Sequence, residues 1–336
     1  MPWYAVEALD DAIETTKAFL LPFEVWTWLK LAVIILFVGG TSTSPPGANF
    51  QFGGGSGTGG GTGTPLPNIP FSTDTLIVLV IAVVAVVVFV WLVLTFIGSI
   101  MEFAFVESLR SREVHVRSYV RRYFVQGVRL FGFRVVLFTL LLLPIVGFLF
   151  VFIPSLLDGS ADVALGSVFV FLPVMVVLGL IVALVDGLTT NFVVPVMLLR
   201  GGGVLAGWRT FWPTLRGQWK QYGMYVLLRF ALSIAAGIIV GIVGGILSLF
   251  VLIPFAILGI GLYVLSGNPT FNAITSSIPL TASFGLLVLL CILFLLFVLA
   301  IIRVPVQTYL RYFALLVLGD TNRQLDVIPE LREEIR

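Results

Sequence analysis

From Thr75 to Ile100 the chain contains no Asp, Glu, Lys, Arg or His. Wound as a helix, that run rises about 39 Å at ~1.5 Å per residue, enough to cross a hydrocarbon core of ~30 Å. A water-soluble domain has nowhere to put such a segment, and four more of similar character follow. The five apolar stretches are residues 75–101, 135–157, 163–185, 225–265 and 282–302, and a shorter sixth, 25–40, carries Lys30 near its start, from where the side chain can reach the headgroups. Composition agrees: 59% of the 336 residues are hydrophobic and 11% charged, against roughly 45–50% and about 25% in globular proteins. Membrane strands are ~9–11 residues long and alternate in polarity, so these uniformly apolar, longer stretches read as helices.

Basic residues in the intervening segments set the orientation. Residues 109–134 hold Arg110, Arg112, Arg117, Arg121, Arg122, Arg129 and Arg134, and residues 200–220 hold Arg200, Arg209, Arg216 and Lys220. Residues 41–74, 158–162 and 266–281 contain no Lys or Arg. The expectation is an all-α integral membrane protein of the cell membrane, with six crossings and both termini cytoplasmic. Its expected units are a cytoplasmic helix (1–22), a first span (23–40), an outward Gly/Pro-rich loop (41–74) and a second span (75–106). An Arg-rich elbow (107–134), a third span (135–157), a fourth with extension (163–199) and a second basic elbow (200–221) follow. The fifth span (222–265) should break near Pro254, because one helix over residues 225–265 would reach roughly 60 Å. A sixth (282–318) leads into a charged tail (319–336).

Several motifs bear on function. Val6, Leu9, Ile13, Thr16 and Leu20 fall at helical spacing among Glu7, Asp10, Asp11 and Glu14, predicting an amphipathic helix that ends at Pro22. Its polar face is acidic and so suits a protein neighbour better than an anionic leaflet; the Arg-rich segment 109–134 is the expected partner. The acidic start also argues against a cleavable signal peptide. The run GGGSGTGGGTG at 53–63 lacks the Lys-Ser/Thr of a phosphate loop and is flanked by prolines, so it reads as a loop. Ser233, Gly237, Gly241 and Gly245 recur every four residues and predict a close helix-packing stripe. One cysteine, Cys291, and one histidine, His115, exclude an intrachain disulfide and a Cys/His zinc cluster, and no cofactor is expected. His115, set among arginines, reads as a solvated loop residue rather than a general base. A net charge of +2 gives no ground for a nucleic-acid partner.

Charges at membrane depth are costly and so mark candidate sites. Glu102, Asp186 and Arg303 are the first charges met at the inner ends of three apolar stretches, and apolar residues resume beyond each. Arg303 is expected to pair with Glu102 or Asp186, assisted by Thr189, Thr190 and Asn191, either as a register-fixing ion pair or as part of a substrate path. A 90-residue offset relates Val106/Val196, Leu109/Leu199, Arg110/Arg200, Val114/Val204 and Gly127/Gly217, with Val304-Pro305-Val306 echoing Val194-Pro195-Val196. This suggests parallel repeats, each ending in a basic elbow.

The N-terminal run from Trp3 to Ala12, the Trp28-Leu29-Lys30-Leu31 start of the first span, its Phe37-Val38-Gly39-Gly40 exit and a usage of 3 Lys to 16 Arg together resemble an uncharacterised family of haloarchaeal multi-pass membrane proteins. More distantly, the elbows Glu107-Ser108-Leu109-Arg110 and Val196-Met197-Leu198-Leu199-Arg200 are similar to the membrane domain attached to some bacterial glycerophosphodiester phosphodiesterases. The resemblance implies topology and source but carries no catalytic residue, since the hydrolase barrel is absent. The resulting expectation is a non-enzymatic membrane scaffold. Its basic inner surface (Arg110, Arg112, Arg117, Arg121, Arg122, Arg200, Arg209) would engage membrane lipids or a cytoplasmic protein, with a second copy as a further candidate partner. The alternative is a small-solute or ion transporter or channel built around Asp186. A buried and paired Asp186 favours the scaffold; a water-connected one favours transport.

Overall fold

A computed structural model describes residues 4–21, 23–41, 73–158, 160–267, 270 and 277–335. All regular structure among them is helical: α1 (Tyr4–Leu20), α2 (Val25–Thr41), α3 (Thr73–Ser111), α4 (Val116–Leu157), α5 (Ala161–Leu188), a π-turn (Thr189–Val193), α6 (Val194–Arg200), α7 (Val204–Gly217), α8 (Trp219–Leu265), α9 (Ile278–Thr321), a 3₁₀ turn (Arg323–Leu325) and α10 (Pro329–Ile335). The glycine-rich run 53–63 lies outside the described residues.

Five helical runs are long and apolar enough to cross a membrane: Ala82–Ser111, Val116–Ser155, Asp162–Arg200, Trp219–Leu265 and Ile278–Thr321; the apolar part of α2, Val25–Val38, is shorter. In the most apolar stretch of each of the five, only 6–22% of residues are buried by protein, so most of that surface is left for lipid. Side by side the long helices follow the order α5, α4, α3, α2, α9, α8. The core lies toward one end of the long helices, where Phe103, Phe105, Phe192, Tyr222, Tyr225 and Phe313 are each at most 2% exposed.

Pro254 does not break the fifth apolar stretch, because α8 is continuous from Trp219 to Leu265. A membrane-embedded helix keeps its remaining backbone bonds where water cannot compete for them, and Pro144, Pro154, Pro173 and Pro305 likewise sit inside helices. The Arg-rich elbow is also shorter than expected: α3 runs to Ser111 and α4 starts at Val116, so most of its arginines are helical. The 90-residue offset matches this shape, since Arg110 and Arg200 both fall at the ends of helices, before α4 and α7 respectively.

The α1 helix forms but docks differently from expectation. It packs on α9, with smaller contacts to α8 and α10, rather than on the Arg-rich start of α4. Its buried face is Ala5, Ala8, Ala12, Thr15, Thr16 and Leu20; Val6 and Ile13 are each 43% exposed. Small side chains allow the two helix axes to approach, and the Thr15 and Thr16 hydroxyls donate to Asp11 O (2.7 Å) and Ala12 O (2.6 Å), leaving no polar group unmatched. The charged tail is likewise packed: Leu325, Val327, Ile328 and Leu331 are buried. Arg332 donates to Leu316 O (3.0 Å) and pairs with Asp326 (3.0 Å) and Asp320 (3.6 Å). Glu334 meets Arg112 at the α3–α4 turn.

Helix α4 presses on α3 at Gly127, where a Cβ would lie 2.5 Å from Ile100 Cγ1 and 2.9 Å from Ile100 Cα. The backbone Cα cannot swing away. Gly127→Ala is therefore expected to cost about 1–3 kcal/mol by overpacking, read as a lower melting temperature in detergent. Gly132→Ala on the same helix, whose Cβ would meet nothing within 4 Å, is the control expected to leave melting unchanged or slightly raised.

The predicted small-residue stripe on α8 is not its packing face throughout. A Cβ at Gly241 or Gly245 would meet nothing within 4 Å, whereas one at Gly244 would lie 2.9 Å from Leu299 Cδ2 of α9. Ser233 donates to Arg229 O in its own helix (2.7 Å). The helix twist explains the difference: a four-residue repeat drifts around a 3.6-residue helix, and the α9-facing line passes through Gly244 and Val251, the residues of that stretch that are buried.

Candidate functional site: a buried ionic cluster

Four charged side chains from four different helices meet in the core: Glu102 (α3), Arg134 (α4), Asp186 (α5) and Arg311 (α9). Their side chains are 1–5% exposed. Arg134 is the centre. Its Nε donates to Asp186 Oδ1 (3.3 Å), Nη1 to Ser99 Oγ (3.2 Å), and Nη2 to Glu102 Oε1 (3.4 Å) and Thr190 Oγ1 (3.1 Å). Arg311 Nη2 donates to Glu102 Oε2, and its guanidinium lies over the Phe105 ring, 5.6 Å from the centroid. Two carboxylates and two guanidiniums sum to zero, so the cluster places paired rather than isolated charge in a low-dielectric interior. Ser99 and Glu102, three apart on one helix face, reach the same arginine.

The second Arg311 donor reaches the Thr190 carbonyl, with Nη1 at 2.6 Å. Local sequence leaves that carbonyl open. In the π-turn Val194 N–H bonds to Thr189 O, an i→i−5 step; the same step from Thr190 would need the N–H of residue 195, which is proline. With Val194 N–H already used, Arg311 supplies the donor instead. The rest of the turn is anchored sideways. Thr189 Oγ1 accepts from Trp208 Nε1 of α7 (3.0 Å), and Asn191 Oδ1 accepts from Arg229 Nη1 of α8 (2.8 Å). Phe192 packs against Phe211, Tyr222 and Tyr225, with ring centroids 4.8–5.3 Å apart. One turn thus touches the ionic cluster, α7 and α8.

The structure brings Glu102 and Asp186 together, with Thr190 beside them, but not with Arg303. Arg303 is half-buried on α9, eight residues or about 12 Å before Arg311, and makes no ion pair among the described residues. The α9 turn at its level meets α8 through Leu299 and Ile302, at Gly244. Arg134 and Arg311 close the cluster; by sequence Arg134 falls in the basic elbow 107–134 and Arg311 beyond the apolar stretch 282–302, within the sixth span's extension to 318. A signal for them is present: Arg134 lies in Phe131-Gly132-Phe133-Arg134-Val135-Val136, and Arg311 precedes Tyr312–Leu318, which is free of charge. Arginines flanked on both sides by apolar residues differ from Arg117, Arg121 and Arg122, each of which has Ser118 or another arginine on one side.

The basic surface arginines stay out of this cluster. Arg110, Arg112, Arg117, Arg121, Arg122, Arg200 and Arg209 are all exposed. Part of their charge is met locally, since Glu107 lies 3.7 Å from Arg110 and 3.8 Å from Arg122. His115 precedes α4, exposed, with Nδ1 3.4 Å from Glu113. Among the described residues no group of three or more His, Cys, Asp or Glu could hold a metal ion.

No curated protein and no solved structure matches the chain. A family model does, across residues 3–328. With its apolar helices and buried ionic cluster, the chain belongs to a family of unknown function, DUF7544.

Proposed function

We propose that this chain is a non-enzymatic membrane scaffold crossing the cell membrane six times, with both termini cytoplasmic. Its ionic cluster locks α3, α4, α5 and α9 into one rigid end that presents the basic surface to the inner leaflet or to a cytoplasmic partner. The observation that carries the reading is the state of Asp186: a side chain 2% exposed and held by Arg134, itself 1% exposed. A transport path through Asp186 needs water on at least one side of it, and the buried Arg134 guanidinium closes off the carboxylate instead. Short loops rich in Arg on one side and free of Lys/Arg on the other support the orientation.

The test is ion and proton leak in vesicles carrying the purified protein. Wild type and Asp186→Asn are both expected to match protein-free vesicles within error. A leak through wild type that Asp186→Asn abolishes would replace the scaffold with a channel or transporter.

A further inference from the structure

We infer that α7 is a binding site for anionic phospholipid at the inner leaflet. The inference rests on the membrane-crossing reading above and names a ligand class and a place for it. Helix α7 presents Leu205, Arg209, Trp212 and Arg216 at positions i, i+4, i+7 and i+11, one stripe of a helix. Leu205 is 72% and Trp212 52% exposed, with Trp219, 67% exposed, just beyond at the start of α8; Arg209 and Arg216 are exposed between them. Alternation of guanidinium and large apolar or indole groups suits a surface that is anionic and oily within a few Å, as a headgroup layer is.

The opposite face fixes the helix there. Val204, Gly207 and Phe211 are buried, and a Cβ at Gly207 would come within 2.7 Å of Val193 Cγ1, so α7 lies flush on the π-turn. Trp208 bonds Thr189, Asn322 Nδ2 donates to Thr214 Oγ1 (3.0 Å), and Gln218 Nε2 donates to Thr321 O (3.1 Å). Its two ends join apolar helices through Gly201–Gly203 and Gln218, which keeps it near their inner ends.

Charge selects the occupant. Between Asp186 and Asp320 the chain has no Asp or Glu, and Asp320, the nearest following acid, lies 3.6 Å from Arg332. Counter-ions for Arg200, Arg209, Arg216 and Lys220 must therefore come from outside this segment. The exposed edge of α1, by contrast, carries Glu7, Asp10 and Glu14, so anionic lipid gathers on the α7 side.

The test uses tryptophan quenching by acyl-brominated lipids, with full-length protein in phosphatidylcholine bilayers containing a tenth of either brominated phosphatidylglycerol or brominated phosphatidylcholine. The difference between wild type and Trp212→Phe/Trp219→Phe isolates the α7 signal. That signal is expected to be quenched at least twofold more by the anionic lipid. Arg209→Gln/Arg216→Gln should remove the preference, lowering relative affinity about thirtyfold, since each surface Lys/Arg contributes ~1 kcal/mol; both arginines are exposed, so folding should not change. Equal quenching by both lipids would overturn the proposal, as would an unquenched α7 signal while Trp91 of α3 is quenched, the result for a protein partner or water at the stripe. Failure to quench Trp91 would instead remove membrane insertion itself.

Discussion

Arg134→Gln is expected to cost about 3–5 kcal/mol, the scale for removing one partner from a buried ion pair. In a protein of ordinary marginal stability that is a large share of the total, so the variant should lose most of its monodisperse yield after extraction. The reason is specific to the geometry. Asp186 pairs with Arg134, and Ser99 and Thr190 each bond the same guanidinium. A glutamine amide cannot reach all four groups with two N–H donors, and it leaves a carboxylate charged in an apolar interior. Adding Asp186→Asn to Arg134→Gln should recover much of the loss, because Glu102 and Arg311 then remain as a neutral pair and no uncompensated charge is left. A double variant as unstable as the single one would mean that packing volume, rather than charge, holds this site.

Arg311→Gln is expected to cost about 3 kcal/mol, and by a different route. Glu102 keeps Arg134, but the Thr190 carbonyl loses its donor, which carries the penalty of an unsatisfied buried acceptor. Pro195→Ala restores an N–H where the π-register needs one. In that background Arg311→Gln should cost about 1 kcal/mol less, a coupling measurable by a double-mutant cycle on denaturant or thermal unfolding. Strict additivity would show that Pro195 and Arg311 do not share the carbonyl.

Much of the architecture is legible in the residues because lipid imposes one rule, that backbone groups bond internally over ~20 residues. The apolar stretches therefore reappear as helices, and the basic turns fall at helix ends. Glu102 and Asp186 stand out for the same reason: carboxylates next to long apolar runs are expensive. Their partners were harder to read. Arg134 and Arg311 sit at span edges, where snorkelling to headgroups is the ordinary expectation, and only the three-dimensional register of α4 and α9 turns them inward. Arg303 sits nearer the apolar stretch in sequence but on the α9 turn that packs against α8. The buried face of α1 departs from its apolar pattern: apolarity points to Val6 and Ile13, while close packing on α9 selects alanine for size. The π-turn has a visible cause in Pro195, yet an i→i−5 step needs the bonding of the neighbouring turns to be known.

The claim at the centre of this account is that the ionic cluster is sealed from water. It is tested most directly by labelling carboxylates with a water-soluble carbodiimide and an amine nucleophile in opened membrane vesicles, followed by peptide mass mapping. Exposed Asp158 should be modified, while Glu102 and Asp186 stay unmodified until the protein is denatured. Labelling of Asp186 in the folded protein at a rate near that of Asp158 would contradict it.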